Sequence, residues 1–155
     1  MDFADYVSEN KPIKVMSRVL RKQVGKKYMK LTNYPVGDFL VRVKNAALAG
    51  KRVVVVDKTN LSANVAKTLK RMGYLDEVKV IKGSLEVRLT YQSKKPIIND
   101  IKLVSKPGVR IYQDVSELEK YRGLYEFIVS TPKGVLSSKE AIKKNVGGEV
   151  IAKLY

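Results

Sequence analysis

Between residues 33 and 91 the apolar residues change period from one segment to the next, and this restricts the fold more than any other feature of the chain. Val36, Phe39, Leu40, Val43 and Ala47 recur at three and four, the spacing that gathers side chains on one face of a helix. Pro35 stands where a first helical turn tolerates it and Gly50 follows the last apolar position, so a helix is predicted over 35–49. Residues 52–56 are a β-branched run and read as a strand. Thr59 or Asn60 then caps a second helix whose Leu61, Val65, Leu69 and Met72 face inward before Gly73 stops it. Val78 and Val80, then Leu85, Val87, Leu89 and Tyr91, alternate with polar residues around Lys82-Gly83-Ser84, which predicts an antiparallel hairpin with one wet face. Helix, strand, helix and hairpin make a compact α+β layer over residues 33–95.

Lys94-Lys95-Pro96 marks a change of zone, because proline cannot continue a central strand and the lysines keep the joint solvated. A second, mostly β domain is expected over 96–155. Its predicted parts are a strand over 97–104, a Lys106-Pro107-Gly108 turn, a strand over 109–112 and a short acidic helix opening at Val115-Ser116-Glu117. Ser137 and Glu140 have capping-box spacing and predict a helix over 138–145. Gly147-Gly148 releases the chain into a last strand over 149–155, with Val150, Ala152 and Leu154 on one face.

Charge narrows the function classes. Thirty-one Lys and Arg against fifteen Asp and Glu give +16 on 155 residues, which points to a polyanionic partner: nucleic acid, an anionic membrane or an acidic protein. The absence of cysteine and histidine excludes disulfides, Cys or His metal sites and any Ser-His or Cys-His nucleophile. No apolar run approaches the ~18 residues of a membrane span, and the acidic start (Asp2, Asp5, Glu9) resembles neither a secretory signal nor a transit peptide. Residues 11–30 carry eight Lys or Arg and no acid. Within the basic extension of residues 1–32, Ile13, Met16, Leu20, Val24, Tyr28 and Leu31 share one side of a helical wheel while Lys14, Arg18, Arg21, Lys22 and Lys26 lie off it. The segment therefore reads either as a disordered basic tail or as a helix that orders on RNA.

The residues with most recognition chemistry lie between an apolar strand and a helix start, in the run Ile-Val-Ser-Thr-Pro-Lys-Gly-Val-Leu-Ser-Ser from Ile128. A strand ending in Ser130 and Thr131 presents two small hydroxyls beside exposed backbone N–H groups, a surface able to grip a phosphate, a ribose 2′-hydroxyl or a base edge. In isolation the same residues describe an ordinary tight turn, with Pro132 fixing φ and Gly134 supplying a positive one.

Four motifs, in order, resemble the small-subunit ribosomal protein eight family. They are P-V-G-D-F-L-V-R-V-K-N-A from Pro35, S-K-P-G-V-R-I-Y from Ser105, S-T-P-K-G-V-L-S from Ser130 and G-G-E-V from Gly147. The resemblance covers residues 33–155, and its G-G-E form is similar to bacterial or organellar members. It implies a two-domain α+β protein, with no cofactor, metal or catalytic residue, that binds the central domain of small-subunit ribosomal RNA and touches neighbouring small-subunit ribosomal proteins. The ribosome would be cytoplasmic or organellar, with no membrane and no small-molecule substrate involved. Carried over residue by residue, it makes Ser130, Thr131, Lys133 and Gly134 the main RNA site, with hydroxyls and N–H groups to ribose, phosphate or an unpaired base and Lys133 to phosphate. A second contact falls at the strand-to-helix loop holding Lys58 and Thr59, while Lys106 and Arg110 add non-specific charge. Glu149 reads as structural, because a carboxylate near phosphates is unfavourable unless a donor holds it.

Two departures from the family pattern bear on these expectations. Pro132 replaces a serine, removing one side-chain hydroxyl, and residues 57–62 keep the threonine hydroxyl but lack two lysines. Lys58, Lys67, Lys70, Arg71 and the basic extension are the candidates to compensate. An enzyme reading has only a Ser130–Lys133 dyad to offer, without a phosphate loop, dinucleotide glycines or paired carboxylates. A peripheral membrane protein and a repressor of the protein's own messenger RNA are the remaining alternatives; the latter would use the same residues.

Overall fold

The computed structural model describes residues 34–155. The first helix, α1 (Pro35–Leu48), begins on its proline and is followed by Gly50 at φ 72°. Its predicted stripe is buried in full. Strand β1 (Val53–Asp57) leads to α2 (Asn60–Arg71), capped by the Thr59 side chain, which accepts from the Ser62 N–H. Strands β2 (Leu75–Ile81) and β3 (Ser84–Leu89) form the predicted hairpin about Lys82 and Gly83, both at positive φ, the backbone a two-residue hairpin turn requires. The resulting antiparallel sheet has the order β1-β3-β2. On α2 the inward face is Ser62, Ala63, Val65, Ala66, Thr68 and Leu69. Leu61 does not face inward as expected and is 39% exposed, because in that first turn Ser62, tied to the cap, takes the buried place.

The Lys94-Lys95-Pro96 joint is tighter than a solvated linker. Strands β4 (Tyr91–Gln92) and β5 (Lys95–Pro96) pair across Ser93 and Lys94, both at positive φ. Proline is tolerated because the pair stands alone as a two-stranded edge.

The second sheet is built around β10 (Gly148–Leu154), flanked by β6 (Ile101–Leu103) and β8 (Glu126–Thr131), with β9 (Gly134–Ser137) outside β8 and β7 (Tyr112–Gln113) pairing with the start of β10. Two predicted strands are shorter than expected. The run 97–104 pairs in register with β10 only at residues 101–103, and the chain after the Lys106–Val109 bridge is in register with β10 only at Tyr112 and Gln113, with single backbone bonds at Val104 and Ile111 beside those ladders. A strand forms only where a partner strand lies beside it. Helices α3 (Val115–Lys120) and α4 (Ser138–Lys143) both carry complete capping boxes, Asp114 with Glu117 and Ser137 with Glu140.

Val150, Ala152 and Leu154 do not share a face. The register between β8 and β10 shifts from Val150↔Val129 to Ala152↔Ile128, leaving Ile151 as an extra residue. Such a bulge breaks the period of two. Val150 joins Val129, Phe127, Leu136, Leu118 and Ala141 on the helix side, while Ile151, Ala152 and Leu154 join Ile128 in the larger cluster with Phe39, Leu40, Leu69 and Leu85. The second sheet is thus covered on both faces, which is why Phe127, Ile128 and Val129 are all buried. Each large apolar side chain buried here contributes about 1.5–3 kcal/mol.

Helix α2 joins the two sheets, packing on β2 and β9. The Thr68 hydroxyl is shared between the Asn64 and Val135 carbonyls, each at 2.9 Å, and Arg71 Nη2 donates to the same Val135 oxygen at 3.0 Å. These bonds hold the β8–β9 hairpin against the helix.

Candidate nucleic-acid interface

The Ser130 loop is the turn of the β8–β9 hairpin. Thr131 pairs with Gly134 in register, leaving Pro132 and Lys133 as the loop, and Gly134 has φ 108°, which only glycine adopts without strain. The Thr131 hydroxyl donates to the Gly134 carbonyl at 2.7 Å and accepts from the Lys133 N–H at 3.1 Å. It staples its own turn. Ser130 differs, because its half-buried hydroxyl has no partner among the described residues. Lys133 extends over the end of α4, its Nζ 3.4 Å from the Lys144 carbonyl oxygen.

Ser130 is the cross-strand partner of Glu149, so the two side chains project from the same face of the sheet. Glu149 Oε1 lies 3.2 Å from Arg110 Nη1, and that guanidinium stacks 5.2 Å from the centre of the Tyr34 ring. The Tyr34 hydroxyl donates to the Ser105 carbonyl at 3.0 Å; burial pushes its pKa up, with Arg110 opposing. Ser105 is completely buried, donates to the Val150 carbonyl at 2.6 Å and accepts from the Ile111 N–H at 3.0 Å. The Ser105 motif therefore pins the Pro107-Gly108 turn to β10, and this turn places Arg110 opposite Glu149. Lys106 lies at the base of that turn, its backbone exchanging both hydrogen bonds with Val109 at 2.9 Å.

Gly147 and Gly148 are needed for approach and not for positive φ. A Cβ on Gly147 would lie 2.6 Å from the Gln113 carbonyl oxygen, and one on Gly148 would collide with the Ser130 carbonyl oxygen. The glycine pair lets β7 and β8 close on β10 beside Ser130.

On the other flank of the hairpin lies a groove of about 750 Å³ lined by Asn64, Lys67 and Arg71 of α2, by Lys133, Gly134, Val135 and Leu136, and by Glu140, Lys143 and Lys144 of α4 and its end. Glu140 is its one carboxylate. Arg71 Nε and Nη2 donate to it at 3.1 and 3.3 Å, holding its carboxyl below the usual range against the opposing effect of partial burial. The fold thus brings together Lys133 and Gly134 with Lys67 and Arg71 from more than sixty residues upstream. Lys143 and Lys144 were not singled out by sequence reasoning, although a basic pair ending a capped helix was the available signal.

Lys58 and Thr59 are placed elsewhere, at the junction of β1 and α2, where the Lys58 N–H donates to the Gly83 carbonyl at 3.0 Å. The Thr59 hydroxyl donates to Ser62 Oγ at 2.8 Å and accepts from the Ser62 N–H at 3.1 Å. Lys14, Arg18, Arg21, Lys22 and Lys26 lie outside the described residues. Among the described residues no group of carboxylates is placed to hold a metal ion, and no helix is long and apolar enough to cross a membrane.

The described residues are similar to proteins of one known family. The family model described as ribosomal protein S8 matches residues 34–155. The small ribosomal subunit protein uS8 of Acidiphilium cryptum (strain JF-5) is 41% identical over 127 residues, covering 78% of this chain and 98% of that protein. Its counterparts in Granulibacter bethesdensis (strain ATCC BAA-1260 / CGDNIH1) and Wolbachia pipientis subsp. Culex pipiens (strain wPip) are each 42% identical, covering 78% and 77% of this chain and 96% and 95% of their own lengths.

Proposed function

The chain belongs to the ribosomal protein S8 family, and on that footing we propose that it is a structural constituent of the small ribosomal subunit whose β8–β9 hairpin grips small-subunit ribosomal RNA. It is not an enzyme, and its partners are that RNA and the neighbouring ribosomal proteins. The observation that carries the site assignment is the free hydroxyl of Ser130, set near Lys133 beside a turn whose own hydroxyl, that of Thr131, is closed on itself. Ser130 is the group available to a ribose, phosphate or unpaired base, and Lys133 supplies charge to a phosphate. Gly134 and the stapled Thr131 keep the loop rigid, so little ordering entropy opposes binding. Arg110 neutralises Glu149 and so removes the repulsion that a bare carboxylate would present to RNA.

In the same proposal residues 33–95 and 96–155 act as two domains, the second holding the main RNA site. Lys58 contributes charge at the first domain's edge, and the basic extension adds phosphate contacts. The test is protection mapping of small-subunit RNA by the purified full chain at moderate salt. Protection of a discrete helix of the central domain is expected, and diffuse protection would overturn the assignment.

A further inference from the structure

The groove between α2 and α4 offers mostly donors, the Asn64 amide oxygen being its open side-chain acceptor. Three further acceptors are taken: the Val135 carbonyl by Thr68 and Arg71, the Lys144 carbonyl by Lys133, and the Glu140 carboxylate by Arg71 and the Ser137 N–H. Facing them, the ammonium groups of Lys67, Lys143 and Lys144 make no hydrogen bond or close ion pair among the described residues, Lys144 acting on the Glu140 carboxyl only as a nearby charge, and Lys133 has only a carbonyl. Four lysines and an arginine thus surround one carboxylate that is already neutralised. Like charges held in one concavity repel one another, and Lys67, Lys143 and Lys144, unlike Arg71 and Lys133, return no hydrogen bond to the fold.

We propose that this groove seats a run of RNA sugar–phosphate backbone, continuous with whatever segment the β8–β9 hairpin grips. A phosphodiester carries acceptors and negative charge and no donor, the complement of what the groove offers. Lys133 and Gly134 belong to both the hairpin and the groove, so a strand held at Ser130 has a direct path between the helices. Gly134 leaves the entrance open, since no atom lies within 4 Å of where a Cβ would stand. Contacts here are to backbone alone and carry no sequence preference, whereas Ser130 supplies discrimination. The inference rests on the proposed RNA role of the hairpin.

The experiment uses the full chain, a transcript of the central domain of small-subunit RNA and fluorescence anisotropy across a potassium chloride series. In the triple variant Lys67→Gln, Lys143→Gln, Lys144→Gln every altered side chain is exposed, so thermal unfolding should match the parent. The plot of log affinity against log salt should flatten by about 2 to 3, from roughly 0.7 to 0.9 for each lost phosphate contact. An unchanged slope in the folded variant would overturn the groove assignment while leaving Ser130→Ala free to weaken binding at constant slope. Loss of binding to polyglutamate with RNA binding intact would overturn it in favour of an acidic protein segment. Failure of the parent chain to bind the transcript would remove both the groove and the hairpin readings.

Discussion

The hairpin at Ser130 and the junction at Thr59 look alike as sequence, each with a hydroxyl residue beside a lysine at the end of a strand, yet the fold leaves them unequal. At the junction the Thr59 hydroxyl both donates to and accepts from Ser62, so the pair closes on itself. In the hairpin the Thr131 hydroxyl is likewise closed on Lys133 and Gly134, but Ser130 next to it remains open. Availability for a ligand therefore depends on which hydroxyls the backbone has already satisfied. The two sites also differ in electrostatic setting: the hairpin borders a groove rich in lysine, and the junction is tied to the Gly83 turn.

The largest expected effect falls on the hairpin's support. In Gly148→Ala the new Cβ collides with the Ser130 carbonyl oxygen on the next strand, and backbone on both sides leaves no flexible group to yield. A loss of about 3 kcal/mol is expected, read as a lower urea midpoint together with weaker RNA binding. An unchanged midpoint would mean that the strand end is not a rigid platform.

Next comes the contrast itself. Ser130→Ala should weaken RNA binding by about 1 to 3 kcal/mol, roughly 5- to 150-fold, with thermal stability almost unaltered, because its hydroxyl has no internal partner to lose. Thr59→Ala should do the reverse. Removing an N-cap costs about 1 kcal/mol of stability, and the buried Ser62 hydroxyl loses its partner as well, while RNA affinity of the folded protein stays near the parent value. If calorimetry and anisotropy showed Thr59→Ala acting on affinity and not on stability, the two loops would be equivalent and the comparison would collapse.

The smallest effect separates the two regions by pH. Glu140 beside the hairpin has its carboxyl held below the ordinary value of 4.5, first by the Arg71 hydrogen bonds, with burial opposing. The unfolded chain therefore takes up this proton before the folded one does. The stabilisation from the pair is complete above about pH 4.5 and fades as pH falls through the lowered folded value. Glu140→Gln should flatten that acid limb of the stability curve. Thr59→Ala removes no titratable group, so it should shift the curve down without changing its shape.

Much of the architecture was legible because its causes are local. Proline at a first turn, Ser137 three residues before Glu140, and Lys82-Gly83 between alternating runs each act within a few residues, and their elements stand where the spacing predicts. The misplaced features depend on distant partners. Residues 97–100 precede the paired stretch and meet the β10 chain only at Tyr155, just past its end, Leu61 has helical spacing but lies where Ser62 is buried, and the bulge at Ile151 accompanies the burial of both faces of β8.

The sequence by itself determined a basic chain without cysteine or histidine, the order of its helices and strands, and the motifs that resemble one ribosomal family. Those properties follow from residue type and short spacing, which survive without knowledge of what folds against what. Only the tertiary structure decided that Thr131 is committed to its own turn while Ser130 is free, that Arg110 neutralises Glu149, and that Lys67 meets Lys133, Lys143 and Lys144 around one groove. Hydrogen-bond satisfaction and charge proximity are relations between residues far apart in the chain, and they exist only once the backbone has closed.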